Sequence, residues 1–233
     1  MTLTADRTPT RNPALVLNRD TAVALGLAVV LTGTSYVLAF ALGWITEVNP
    51  LEAFAVATSY ACTYLCVRQR RFNYPIGALS TAAYCLLFWQ QGLLASAALN
   101  AYLTPMLVYG WFRWRSDAET RPVTRLALRW VPVYALVAAA AYGGALLILG
   151  ALGGQQAPAD GFILVGTIIA QLLLDNKKIE TWVAWALVNV VAIVVYFSSG
   201  LAIVGVQYVF FLGNAVYGFW MWRRAMRDGV PVA

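Results

Sequence analysis

Apolar residues gather into eight runs, near residues 22–45, 51–67, 72–90, 93–112, 130–152, 160–175, 181–197 and 201–222, with short polar stretches between them. An α-helix needs roughly 17–25 residues to cross a hydrocarbon core about 30 Å thick. The pattern therefore predicts eight transmembrane helices, the sixth short enough to need tilt or a covering of protein. The polar stretches sort by charge. The N-terminal tail, Arg68-Gln69-Arg70-Arg71, residues 113–129 with Arg113, Arg115, Arg121, Arg125 and Arg129, Lys177-Lys178, and the tail with Arg223, Arg224 and Arg227 hold all sixteen Lys and Arg. Residues 44–50, 90–92, 153–160 and 198–200 hold none. Excess Lys and Arg mark the cytoplasmic loops of membrane proteins, so the first set and both termini are expected in the cytoplasm.

A second pattern runs beneath the first. A shift of 108 residues lays Pro50 on Pro158, Glu52 on Asp160, Phe54 on Phe162, Gly92-Leu93 on Gly200-Leu201, Val108-Tyr109-Gly110 on Val216-Tyr217-Gly218 and Trp114-Arg115 on Trp222-Arg223, without a gap. Internal register of this kind marks a duplicated unit. Each copy holds three spans. An odd number of spans repeats in one orientation only when an odd number of helices separates the copies, and the 130–152 span supplies that helix. The expected fold is an all-α polytopic membrane protein with eight transmembrane helices in a 1+3+1+3 order. It comprises a cytoplasmic tail (1–21), an extra N-terminal helix (22–45), a first three-helix repeat (51–115), a linking helix (130–152), a second, parallel repeat (158–224) and a cytoplasmic tail (225–233). Parallel repeats place a substrate site at their interface, near the membrane midplane.

Composition narrows the classes of function. With 61% hydrophobic and 11% charged residues the chain cannot be a soluble globule, and it holds far too much apolar material to be disordered. The net charge of +6 follows from loop topology, so nucleic acid is not an expected partner. The chain has no histidine, which removes His-based catalysis, metal clusters and proton relays. Cys62, Cys66 and Cys85 fall inside apolar runs without metal spacing and read as small buried hydrophobes. No metal or other cofactor is expected, and the polar N-terminus lacks the pattern of a cleavable leader.

Polar side chains inside spans are costly and mark candidate sites. On the seventh span Trp182, Trp185, Asn189 and Tyr196 are spaced +3, +7 and +14, which sets them on one helical face. An interfacial Trp belt accounts for Trp182 but not for Asn189, two turns deeper. The third span offers Tyr74, Gly77, Thr81, Tyr84 and Phe88 on one face, with Pro75 in the first turn. Asn100, Tyr102, Gln207, Asn214, Thr167 and Gln171 complete the set. Any one of these can instead serve an interhelical hydrogen bond. Together they suit a flat ring compound that stacks on indoles and offers its edge to amides, or a sugar. Substrate-binding candidates are Trp182, Trp185, Asn189, Tyr196, Tyr84, Asn100 and Gln207; none is catalytic. Glu52 and Asp160 are expected at helix N-termini, where a carboxylate is favoured. Asp175 and Glu180 are expected as solvated loop charges beside Lys177-Lys178. No charge stands at mid-span, which favours uncoupled facilitated diffusion.

Val108-Tyr109-Gly110-Trp111-Phe112-Arg113-Trp114, the run LDNKKIETWVAWALVN from Leu174 and the closing GFWMWRR resemble the PnuC family of vitamin transporters over about residues 50 to 224. The spacing Trp182-x-x-Trp185-x-x-x-Asn189 matches the family's substrate-lining helix. Three positions depart from its pattern, with Ser96 for Asp, Asn100 for Gln and Tyr74 for Trp. The resemblance implies two three-helix bundles joined by a helix, in outline like full-length SWEET sugar transporters. It also implies a homotrimer, a bacterial cytoplasmic membrane, and uptake of nicotinamide riboside with trapping by an intracellular kinase. The departures keep thiamine, riboflavin, a nucleoside or a sugar open as ligand. An intramembrane enzyme, for which no nucleophile or paired carboxylates are found, and a non-transporting assembly protein are the remaining alternatives.

Overall fold

The computed structural model describes residues 13–91, 94–114, 121–151 and 157–229, with side chains from Arg19 onward and, in the fourth helix, from Ser96. The expectations that fall on the tail ends, Gly92-Leu93, Arg115 and the stretch 152–156 lie outside the described residues. Eight helices follow one another: α1 (Pro13–Ala41), α2 (Pro50–Val67), α3 (Asn73–Gln90), α4 (Leu94–Arg113), α5 (Val131–Ala151), α6 (Ala157–Asp175), α7 (Thr181–Ser198) and α8 (Ala202–Asp228). A single 3-10 turn, Leu128–Trp130, leads into α5. Among the described residues there is no strand, only an isolated bridge between Thr124 and Lys178.

The helix starts follow from local chemistry. The Asn49 side chain accepts hydrogen bonds from the backbone N–H of Leu51 and Glu52 at 3.0 and 3.3 Å, and Pro50 follows it at the first helical position. Glu52 and Asp160 both stand in the first turns of their helices, as expected. α8 outlasts its apolar run and stops at Gly229, whose φ of 66° closes the helix in the left-handed region.

Among the described residues, five helices are long and apolar enough to span a membrane on composition alone: α1 from Arg19, α5 with its leading turn, α6, α7 and α8. α2, α3 and α4 have 18 to 20 residues each but are diluted by hydroxyl, amide and aromatic side chains. Several of these hydroxyls and amides bond back to carbonyls of their own helix, as Thr58, Thr63, Asn100 and Thr104 do, and others bridge helices. Ser80 of α3 donates to the Ala55 carbonyl of α2 at 2.9 Å, and Thr81 meets Thr104 of α4 at 2.9 Å.

Sequence neighbours pack side by side. α2, α3 and α4 form one triplet, α6, α7 and α8 another, and α2 also meets α8 across the middle. α1 lies against α2. There Ser35 meets the Tyr60 hydroxyl at 3.1 Å and Tyr36 donates to Glu52 at 3.2 Å. At the other end of α1 the buried Asp20 pairs with Arg68 at 3.2 Å and Arg70 at 2.5 Å. α5 packs on α6, with only Ala145 and Leu149 buried.

Candidate functional site

The turns after α2 and α6 are built alike, bond for bond. Gln69 N–H donates to Cys66 and Arg70 N–H to Leu65; Lys177 N–H donates to Leu174 and Lys178 N–H to Leu173, all at 2.9–3.0 Å. Gln69 and Lys177 take φ of 54° and 50°, a region glycine usually fills at a helix C-terminus. Both are buried, and the Lys177 ammonium donates to the Gln69 side-chain carbonyl at 2.7 Å and to the Arg121 carbonyl at 3.0 Å.

The same correspondence orders the aromatic floor. Trp114 Nε1 donates to the Asp175 carbonyl and Trp222 Nε1 to the Val67 carbonyl, each at 3.1 Å. Trp114 meets Tyr74 edge-on and Trp222 meets Trp182 edge-on, each pair with ring centroids 5.3 Å apart. Those rings lie against Gly110 and Gly218. An added Cβ would come within 2.0 Å of Tyr74 and 2.6 Å of Trp182 respectively, so both positions need a residue without a side chain.

Above this floor and between the triplets lies a cavity of about 160 Å³. All seven candidates line it: Trp182, Trp185, Asn189 and Tyr196 from α7, Tyr84 from α3, Asn100 from α4 and Gln207 from α8. Among the described residues no Asp, Glu, Lys or Arg lines it. Tyr84 donates to the Gln207 side-chain carbonyl. That leaves Gln207 Nε2, Asn189 Oδ1 and Trp182 Nε1 buried without a partner. A buried polar atom left unpaired costs about 1–3 kcal/mol, a cost that these three atoms of the cavity wall carry. At the end of the cavity away from Gln69 and Lys177, four rings form a ladder. Tyr84 stacks on Phe88 at 5.4 Å, Phe88 faces Tyr196 at 6.4 Å and 5°, and Tyr196 stacks on Tyr208 at 5.1 Å.

Some expectations need correction. Asp175 is not a solvated loop charge. It is 1% exposed and accepts from the Tyr74 hydroxyl at 2.7 Å and Gln171 at 2.9 Å. Glu180 accepts from the Leu126 backbone N–H at 3.0 Å. Tyr74 sits below the cavity rather than on its wall, because its hydroxyl is spent on Asp175. Tyr102 faces outward at 41% exposure. Thr167, Gln171 and Asn214 do line the cavity, as do Cys62, Cys66, Tyr208 and Phe211, which sequence reasoning did not single out as lining. The 108-residue register was the signal for the turn residues, since it sets Gln69 on Lys177 and Val67 on Asp175.

A charge-free chamber between two matched helix triplets defines a multi-pass membrane protein of the small-solute transporter class. The chain belongs to the family described as nicotinamide mononucleotide transporter, which it matches over residues 49–224. It is 24% identical over 212 residues to the nicotinamide riboside transporter PnuC of Escherichia coli strain K12, covering 78% of this chain and 88% of that one. It is 30% identical over 175 residues to the riboflavin/roseoflavin transporter RibM of Streptomyces davaonensis, covering 71% and 81%. A crystal structure of the vitamin B3 transporter PnuC shares the fold with a TM-score of 0.73 at 22% identity, covering 92% of this chain and 98% of that one.

Proposed function

We propose that the protein imports nicotinamide riboside, or a closely related ring-bearing vitamin precursor, across a bacterial cytoplasmic membrane. The observation that carries this reading is the pairing of Trp182 and Trp185 with unpartnered amide and indole groups in a cavity that has no charged lining residue. Indoles stack on a heteroaromatic ring, and attract a pyridinium more strongly than a neutral ring. Asn189 Oδ1 and Gln207 Nε2 suit a carboxamide or ribose hydroxyls, with Tyr84, Asn100 and Tyr196 closing around them. The mechanism proposed is alternating access. The ladder of Phe88 and Tyr196 closes one end, the seam of Gln69 and Lys177 closes the other, and each parts in turn as the triplets rock.

Movement down the solute's own gradient is the simplest reading of an uncharged chamber, with net uptake completed by an intracellular kinase. The same reading places both termini in the cytoplasm, treats residues 51–115 and 158–224 as the two repeats, and takes the assembly as a homotrimer. A riboflavin-like ligand is the second reading, supported by the likeness to RibM. Calorimetry of the purified protein against nicotinamide riboside, thiamine, riboflavin, a nucleoside and glucose separates them. Binding of nicotinamide riboside alone is expected; binding of riboflavin alone transfers the assignment. Uptake into sealed liposomes should be unaffected by imposed proton or sodium gradients, and accumulation that follows either gradient overturns facilitated diffusion.

A further inference from the structure

A second concavity lies outside the transport pathway, between α5 and α6 on the arginine-rich side, with a volume of about 840 Å³. Its rim carries Arg113, Arg121, Arg125, Arg129 and Lys178, and among the described residues no carboxylate lines it. The segment that bears the arginines is strapped down. Thr124 exchanges backbone hydrogen bonds with the α6–α7 turn at 3.0 Å, through Lys177 and Ile179, and Lys178 donates to the Thr124 hydroxyl at 2.9 Å. On that turn Asp175 interacts with Arg113 and Arg121, its backbone carbonyl accepting from Arg121 at 2.8 Å, while Glu180 accepts from the Leu126 N–H. Among the described residues Arg125, Arg129 and Lys178 are therefore the cationic edge that the strapped segment holds in place.

Below the rim the groove becomes apolar in the direction of the bilayer interior. Trp130 and Tyr134 stand at its mouth, the depth at which aromatic residues favour the membrane interface. Val137 and Ala141 of α5 then face Val165, Ile169 and Leu172 of α6. From Val165 to Asn176 is eleven residues, or about 16 Å along a helix. That is about half of a hydrocarbon core of about 30 Å, the depth of one leaflet. Cations at the head, aromatics at the interface and an apolar crevice one leaflet deep complement a single kind of molecule. Basic pockets between membrane helices on the cytoplasmic side hold anionic headgroups.

We propose that this groove is a binding site for an anionic phospholipid, its phosphate held by Arg125, Arg129 and Lys178 and an acyl chain laid between α5 and α6. The site is separate from the transported solute and would tie the linking helix to the second triplet.

The test uses the full-length protein in detergent, with native mass spectrometry and thermal denaturation in the presence of phosphatidylglycerol, cardiolipin or phosphatidylcholine. The two anionic lipids are expected to remain bound and to raise Tm; phosphatidylcholine and inorganic phosphate are expected to do neither. The double variant Arg125→Gln/Arg129→Gln should weaken anionic-lipid binding at least tenfold. Ala141→Trp, which fills the crevice and leaves the cations in place, should weaken it comparably. Equal retention of phosphatidylcholine, a full shift with inorganic phosphate, or unchanged lipid binding in both variants overturns the proposal. So does a drop in oligomer size for Ala141→Trp in lipid-free detergent, which would assign the groove to a second copy of the chain.

Discussion

Lys177 donates its ammonium to the side chain of Gln69, and the two residues stand 108 positions apart, the repeat distance itself. Each sits in the left-handed region that would suit glycine better. A side chain is retained there at a strain of about 1–2 kcal/mol, and the buried hydrogen bond offsets it. Lys177→Met keeps the strain and removes the bond, and should lower stability by about 2–3 kcal/mol. Lys177→Gly should recover about 1 kcal/mol of that loss. Thermal denaturation in detergent reads both, and a Met variant as stable as the parent contradicts the seam.

Gly218 and Gly110 should respond differently to the same change. Gly218→Ala sets a methyl group 2.6 Å from the Trp182 indole and pushes it out of its place in the cavity wall. Ligand affinity should fall at least tenfold. Gly110→Ala meets Tyr74 at 2.0 Å and breaks its bond to Asp175, so the loss should fall first on Tm. Calorimetry and denaturation of the two variants, measured side by side, check the contrast.

Asn189→Leu keeps the branched shape of the side chain and removes the amide whose Oδ1 is buried without a hydrogen-bond partner. Loss of one hydrogen bond to a buried ligand group corresponds to about 1–3 kcal/mol, or about fivefold to 150-fold in affinity. Oligomer size in gel filtration should stay constant. Unchanged affinity would remove Asn189 from the site.

Cys62 and Cys66 line the cavity and Cys85 does not. Saturating ligand should therefore slow modification of Cys62 and Cys66 by a small uncharged thiol reagent, while Cys85 reacts at its original rate. Peptide mass mapping after timed labelling gives the three rates. Equal protection of all three would point to a global change rather than occupancy of the chamber.

The eight helices of the described residues and the grouping of one face of the cavity wall were legible in the sequence. Thr181–Ser198 differs by a single residue from the run of apolar residues that announced it. The helices at the chain ends were harder. α1 begins at Pro13 and α8 runs to Asp228, because helical hydrogen bonding continues past the membrane boundary that apolar residues report. Helical spacing correctly grouped Trp182, Trp185, Asn189 and Tyr196, since a face depends on local geometry alone. It did not reveal that Tyr102 turns outward or that Tyr74 belongs to the floor rather than the cavity wall, because a shared face does not say which neighbour it meets. Asp175 and Glu180 looked solvated because their partners, Tyr74 and Arg121 for the one and Leu126 for the other, are 54 to 101 residues distant in the chain.

The uncharged wall of the chamber has an electrical consequence. On the proposed uncoupled mechanism the passenger is the only mobile charge in the cycle, so a pyridinium ion would feel the membrane voltage and a neutral flavin would not. An interior-negative potential of 100 mV is worth about 2.3 kcal/mol per unit charge, or about fiftyfold enrichment inside. A cationic vitamin could thus be concentrated with no companion ion, and clamping the voltage to zero in vesicles should erase that enrichment.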